Sequence, residues 1–354
     1  MPSSKFIIKT KIPNTFRVEK VKGMFDVNKD EIIKEFDINI PIDNKTWNVG
    51  LIIGASGSGK TTIAKNLFKD FLFFNGFEWN SDSFLDDFDK DLSPTQIIES
   101  LSKVGFSSPP DWLKPFNVLS NGQKMRVELA RIILQSDKPF IYDEFTSLVD
   151  RQVAKIGSYA ISKFLKKENK QMIAVTCHSD VEEWLEADWV YNVDTNEFKW
   201  GSVRRPQINV GVRQATNKEW SQFKQFHYLD ANHNNAAHKY IAEINGQPVG
   251  WCSILHFPHP HIKNMKKVHR LVIKPDYQGI GLGGRFLDYI ANIYKKDNFR
   301  FTIVTSQPSL VFGLLKNNKW AMTRKPSRLK DSAKSGILAG TTSDKRLTAS
   351  FEFK

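Results

Sequence analysis

Gly54-Ala55-Ser56-Gly57-Ser58-Gly59-Lys60-Thr61 brings three glycines, a lysine and hydroxyls together within eight residues, and Thr62 follows directly. That spacing suits phosphate. Glycines let the backbone wrap closely, so that its N–H groups and the N-terminus of a following helix face an anion. Lys60 then reaches the terminal phosphates, and the Thr61 hydroxyl binds Mg²⁺. The pattern is G-x-x-x-x-G-K-[ST], and its flanks agree with it. Val49–Ile53 is a short apolar run that predicts a buried strand, and residues 62–68 carry apolar side chains at helical spacing. The alternative, a chance glycine turn, does not account for this strand–loop–helix order. The expected ligand is ATP with Mg²⁺, held by residues Gly54 to Thr62.

Downstream, Leu119-Ser120-Asn121-Gly122-Gln123 precedes a helix-like stretch. Pro139-Phe140-Ile141-Tyr142-Asp143-Glu144 is an apolar strand ending in two carboxylates. These segments resemble the ATP-binding-cassette (ABC) ATPases, whose signature is L-S-G-G-Q; Asn121 replaces its first glycine. The resemblance implies that Ser120, Gly122 and Gln123 contact the nucleotide and that Asp143 joins Thr61 at Mg²⁺. It implies that Glu144 polarises the attacking water and that His178, after Ile173–Cys177, senses the γ-phosphate. Ser147–Asp150 is similar to the family's D-loop. The family's Q-loop glutamine has no clear counterpart; Gln96, Asp86 and Asp87 are the residues near its place. Phe25 is either an adenine-stacking aromatic or a core residue. Members of the family hydrolyse ATP as dimers, so a homodimer joined by ATP is expected.

A second glycine-rich loop lies in the other half: Gln278-Gly279-Ile280-Gly281-Leu282-Gly283-Gly284, after the strand-like Val268–Ile273 and before a helical stretch. Its chemistry is again pyrophosphate binding by backbone N–H groups at a helix start. With its strand and helix it resembles the GCN5-related N-acetyltransferases (GNAT), whose motif is [RQ]-x-x-G-x-[GA], and this implies acetyl-CoA held by Ile273 and Gln278 to Gly284. A dinucleotide loop is the rival reading. It is disfavoured because the preceding segment, with Asn245-Gly246 between two apolar runs, predicts an antiparallel hairpin, and no parallel βαβ unit is apparent.

Catalytic groups for transfer are less sharply marked. Many members protonate the leaving thiolate with a tyrosine five residues before an aromatic; taking Trp320 as the aromatic puts Leu315 there. His269 is the candidate base, with a hydrogen-bonded structural histidine as the alternative. His227 and Tyr228 are further candidates, because His227-Tyr228-Leu229 resembles the entry segment of Mom-like DNA-modification proteins. Trp220 and Phe223 read as core. His256, His259 and His261 are either a metal site or a polar lining.

The elements must place these groups in two units, an ABC-type ATPase over 1–203 and a GNAT-like domain over 204–354. The fold class is α/β, a P-loop domain followed by an α+β domain. Charge divides along the same line. Residues 1–200 carry 26 Lys and Arg against 29 Asp and Glu, whereas 201–354 carry 25 against 9. A half this basic attracts polyanions, so nucleic acid, DNA or RNA, is the expected partner, and Arg324, Lys325, Arg328, Lys330 and Lys334 extend the basic tail. A basic surface serving CoA alone is the alternative. Two distant cysteines argue against a disulfide framework, and no apolar run approaches a membrane span. The chain reads as cytoplasmic, with no membrane partner. The leading functional reading is an ATP-dependent acetyltransferase acting on a nucleic-acid base. Its rivals are a protein or small-molecule acetyltransferase regulated by ATP, and an ATP-gated DNA-binding module without transfer activity.

Overall fold

The computed structural model describes residues 3–201, 207–227, 232–258, 261–327 and 347–354. An antiparallel pair comes first, β1 (Ser3–Lys11) and β2 (Glu31–Asn39), joined by helix α1 (Phe16–Phe25). No α1 residue is buried, and Phe25 is 71% exposed, so it is not a core residue. Phe36 of β2 is the aromatic beside the phosphate loop, since a Cβ added at Gly59 would meet its ring at 2.7 Å.

The next sheet comprises β3 (Val49–Ile53), β4 (Leu72–Phe74), β5 (Phe140–Tyr142), β6 (Met172–Thr176), β7 (Trp189–Asn192) and β8 (Glu197–Trp200) in the order β4-β5-β6-β3-β7-β8. All neighbours are parallel except β7 and β8. Val-Gly-Leu-Ile-Ile and Met-Ile-Ala-Val-Thr are buried at every position, as central parallel strands covered on both faces must be. Gly50 is required there, because a Cβ would meet the Trp189 ring at 2.1 Å.

Helix α2 (Lys60–Leu67) leaves the first glycine loop. Helix α3 (Pro94–Lys103) begins at Ser93, whose side chain forms a capping box with Gln96, and carries Pro94 in its first turn. After the single turn α4 (Pro109–Trp112) comes α5 (Asn121–Gln135), then α6 (Arg151–Glu168) and α7 (Val181–Leu185). The expected Q-loop stand-ins do other work: Gln96 caps α3, and Asp87 accepts from the backbone of Asn80 and Ser81.

The remaining strands are β9 (Gly211–Gln214), β10 (His238–Ile244), β11 (Gln247–His256), β12 (Met265–Ile273), β13 (Arg300–Thr305), β14 (Trp320–Ser327) and β15 (Thr348–Phe353), in the order β14-β15-β13-β12-β11-β10-β9. Helices α8 (Leu282–Lys296) and α9 (Pro308–Lys316) complete this half. The β10–β11 hairpin turns at Asn245-Gly246, both at positive φ as a type I′ turn demands. One expectation fails. β12 and β13 are parallel and joined by α8, so a parallel βαβ unit is present. The β13 segment conceals it, because buried and open positions alternate there as in an antiparallel strand. The proposed boundary at 203/204 lies outside the described residues, as do Tyr228, Leu229, His259, Arg328, Lys330 and Lys334.

Candidate functional site

The first site gathers at the C-terminal ends of β3, β5 and β6. Gly57 and Gly59 take φ values of +76° and +105°, and Gly59 caps α2, which turns the backbone of residues 54–62 around a concave loop. The Lys60 ammonium is nearly buried and donates to the carbonyls of Gly54 and Ala55 at 3.0 and 2.8 Å. Thr61 Oγ1 donates to Asp143 Oδ2 at 2.8 Å, so the hydroxyl and carboxylate meet as the resemblance implies. This is a hard-oxygen donor pair that suits Mg²⁺.

Glu144 follows Asp143 with φ +52°, a left-handed angle that turns its carboxylate off the strand end, where Oε2 accepts from Ser147 Oγ at 2.6 Å. Phe145 N bonds Val175 O, tying this turn to the end of β6, after which comes the half-buried His178. Ser120 and Gln123 form a reciprocal capping box at the start of α5, and Asn121 Nδ2 donates to Leu148 O, linking the signature to the 147–150 turn. Gly122 is needed for packing, since a Cβ would meet Val153 at 2.5 Å. Sequence reasoning missed two contributors. Asp194 accepts from Ala55 N at 2.7 Å, and Lys34 donates to Ser58 O at 2.6 Å.

The second site is a cavity of about 850 Å³. β12 and β13 pair only at residues 265–267 and 300–302, and past these positions their residues line the cavity instead. Ile273, Gln278, Gly279, Gly281, Leu282, Gly283 and Gly284 all border it, whereas Ile280 packs into the apolar core. Gly281, at φ +81°, caps α8, so the helix start opens onto the cavity. The volume lies within the range of sites for cofactor-sized ligands, and the donor set fits a pyrophosphate-bearing group such as acetyl-CoA.

His269 and His227 both line this cavity. Burial, with Arg270 and His233 beside it, lowers the His269 pKa to about 4, and Asn234 N approaches its Nε2 at 3.4 Å. It is neutral at physiological pH and a weak base. His233 was not singled out from sequence. It lies against Trp220, Trp251 and His269, and burial lowers its pKa to about 4 as well. Leu315 is exposed and is not one of the residues lining the cavity; Tyr277 is the tyrosine among the described lining residues, and burial raises its pKa. Trp220 and Phe223 are buried as expected, Trp220 on a 3₁₀ turn and Phe223 at its C-terminal cap. No group of three or more His, Cys, Asp or Glu among the described residues is placed to hold a metal ion.

His233 and His269 set a pH dependence. Their folded-state values of about 4 lie below the ordinary 6.5, so the unfolded chain binds more protons between those limits. Stability is expected to be full above about 6.5 and to fall as pH drops toward 4. Thermal unfolding across that window, with His233→Gln giving a flatter profile than wild type, checks this; equal slopes would contradict it.

Residues 206–310 match the Acetyltransferase (GNAT) family. The chain is 31% identical over 134 residues to the maltose/maltodextrin import ATP-binding protein of Mannheimia succiniciproducens, covering 33% of this chain and 36% of that protein. An energy-coupling factor transporter ATP-binding protein of Clostridioides difficile is 29% identical over 211 residues, covering 47% of this chain and 73% of the relative. The chain thus spans about a third of the first relative's length and about three-quarters of the second's. Among solved structures, the IAA acetyltransferase from Bacillus cereus aligns at 13% identity with a TM-score of 0.30, covering 41% of this chain and 99% of that one. No described helix is long and apolar enough to cross a membrane. The chain joins an N-terminal region with homology to ABC ATPases to a C-terminal region that matches the Acetyltransferase (GNAT) family.

Proposed function

We propose that the chain is an ATP-dependent N-acetyltransferase whose acceptor is a base of a nucleic acid. The transfer reading is carried by the cavity at the start of α8, where backbone donors and the separated strands β12 and β13 converge. The acceptor reading is supported by the excess of 25 Lys and Arg over 9 Asp and Glu after residue 200.

ATP with Mg²⁺ supplies phosphoryl transfer, and acetyl-CoA supplies the acetyl thioester. Lys60 and the 54–62 loop hold the phosphates, Thr61 and Asp143 hold the cation, and Glu144 accepts a proton from water at the strand end. Ser120, Gly122 and Gln123 face the phosphate loop of a second copy, so that ATP joins a homodimer. The 278–284 loop orients the donor, with Tyr277, protonated at neutral pH, as a proton source near the departing thiol. A clamp closing on nucleic acid offsets the few kcal/mol that unstacking a base costs.

Mass spectrometry of nucleosides from cells expressing wild type or Glu144→Gln tests this. A new acetylated nucleoside found only with wild type is expected. Unchanged nucleosides in both DNA and RNA, from cells holding folded, ATP-hydrolysing protein, would sink the nucleic-acid acceptor and leave protein or small-molecule amines. Failure of the wild type to bind acetyl-CoA would point instead to an ATP-gated binding module.

A further inference from the structure

The cavity is not walled by the transferase half alone. α3 contributes Lys103 and Glu99, and α6 contributes Lys163 and Lys167, which are four residues apart and so share one helix face. The contact between the halves is built rather than incidental. Ser107 N donates to Gln278 Oε1 at 2.7 Å, and Gln307 Nε2 donates to Ser107 O at 2.8 Å. Gly105 and Gly279 lie so close that a Cβ on Gly279 would fall 2.7 Å from the Gly105 Cα.

Four lysines, with Lys316 of α9 as the fourth, line the cavity against the single carboxylate Glu99 among its described lining residues. Lys163, Lys167 and Lys316 form no ion pair among the described residues. Lys103 pairs with Glu168 at 3.1 Å and lies over the Phe164 ring. Such a surplus of cations in one concave wall suits an anionic group. The glycine loop has backbone donors for a pyrophosphate, but acyl-CoA also carries a 3′-phosphate that needs separate partners.

We propose that the ATPase half is a working part of the acyl-CoA site, with Lys103, Lys163 and Lys167 holding the 3′-phosphate. This rests on reading the cavity as an acyl-CoA site. It makes the two domains one binding unit, in which α3 and α6 of the ATPase set donor affinity.

The test is calorimetric titration of acetyl-CoA and of 3′-dephospho-acetyl-CoA into the full chain and into the triple variant Lys103→Ala, Lys163→Ala, Lys167→Ala. Loss of two or three charge-assisted contacts predicts about 100-fold weaker acetyl-CoA binding by the variant, with the dephospho form little changed. The three side chains reach the surface, so the unfolding midpoint is expected to hold, and the triple Lys→Arg variant restores binding. Equal acetyl-CoA affinity in wild type and alanine variant overturns the proposal, and an equal loss for both ligands overturns its assignment to the 3′-phosphate. If wild type binds neither ligand, the failure belongs to the reading of the cavity.

Discussion

Replacing Arg126 by methionine is expected to destabilise the chain by about 3 kcal/mol or more and to weaken acetyl-CoA binding while leaving ATP binding in place. Arg126 is fully buried in α5, and burial lowers its pKa to about 10, so it stays cationic at neutral pH. Its Nη1 donates to Pro275 O at 2.8 Å and to Gly105 O at 3.3 Å, and Nη2 donates to Asp276 O at 3.3 Å. One guanidinium thus gathers the carbonyls that precede the 278–284 loop together with the turn after α3. Methionine matches its bulk but leaves those buried acceptors unpaired, at about 1–3 kcal/mol each, offset in part because a desolvated charge is removed. Lysine should not rescue, because a single ammonium cannot span the fork. Gly279→Ala is expected to act similarly, since its Cβ would lie 2.7 Å from the Ala160 Cβ at a φ of +88°. The same helix begins with Ser120–Gln123, so a nucleotide-driven movement of α5 would reach the second loop through this contact. ATP is therefore expected to change acetyl-CoA affinity in wild type and not in Arg126→Met, with the reciprocal effect on ATP. Unchanged unfolding and unchanged acetyl-CoA affinity in the methionine variant would remove Arg126 from this role.

What the sequence disclosed and what it hid follow one physical division. The two glycine loops and the Asn245-Gly246 turn were legible because each is a local backbone demand that few residue types meet. Thr61 and Asp143 were paired through a resemblance, and the structure brings their side chains within a hydrogen bond. The junction was not legible. Nothing near Arg126 signals that its partners lie about 150 positions away, and on a helix it reads as an ordinary solvated charge. Lys103, Lys163 and Lys167 were invisible for the same reason. Their meaning comes from which helix faces the other half. The cavity has walls from both halves, an arrangement that no single stretch of sequence carries. α1 was hidden differently: its apolar residues, Phe16, Val21, Met24 and Phe25, stay exposed and follow no core-facing pattern.

Glu144→Gln is expected to reduce ATP turnover by about 100-fold to 10,000-fold, the range typical of a lost general base, while nucleotide still binds. Glutamine keeps the size and the hydrogen bond from Ser147 Oγ but cannot take the proton of an attacking water. The backbone supplies an independent argument that this carboxylate is held for chemistry. Glu144 sits at φ +52°, a conformation that costs a non-glycine residue about 1–2 kcal/mol. Glu144→Gly should therefore be at least as stable as wild type while losing turnover as completely as the glutamine variant. A merely structural carboxylate would give the opposite result, lower stability with turnover retained. Blocking hydrolysis after binding should also trap the ATP-joined pair, so size-exclusion chromatography with light scattering should show a dimer with Glu144→Gln and ATP, and a monomer without nucleotide. Acetyl transfer in that trapped state then separates two couplings. Transfer that continues for one round and stops means that ATP binding assembles the site and hydrolysis resets it. Transfer that never starts means that hydrolysis itself drives the acceptor into the cavity. Glutamine-variant turnover within a few-fold of wild type would remove Glu144 as the base and leave the half-buried His178, across the turn, as the next residue to replace.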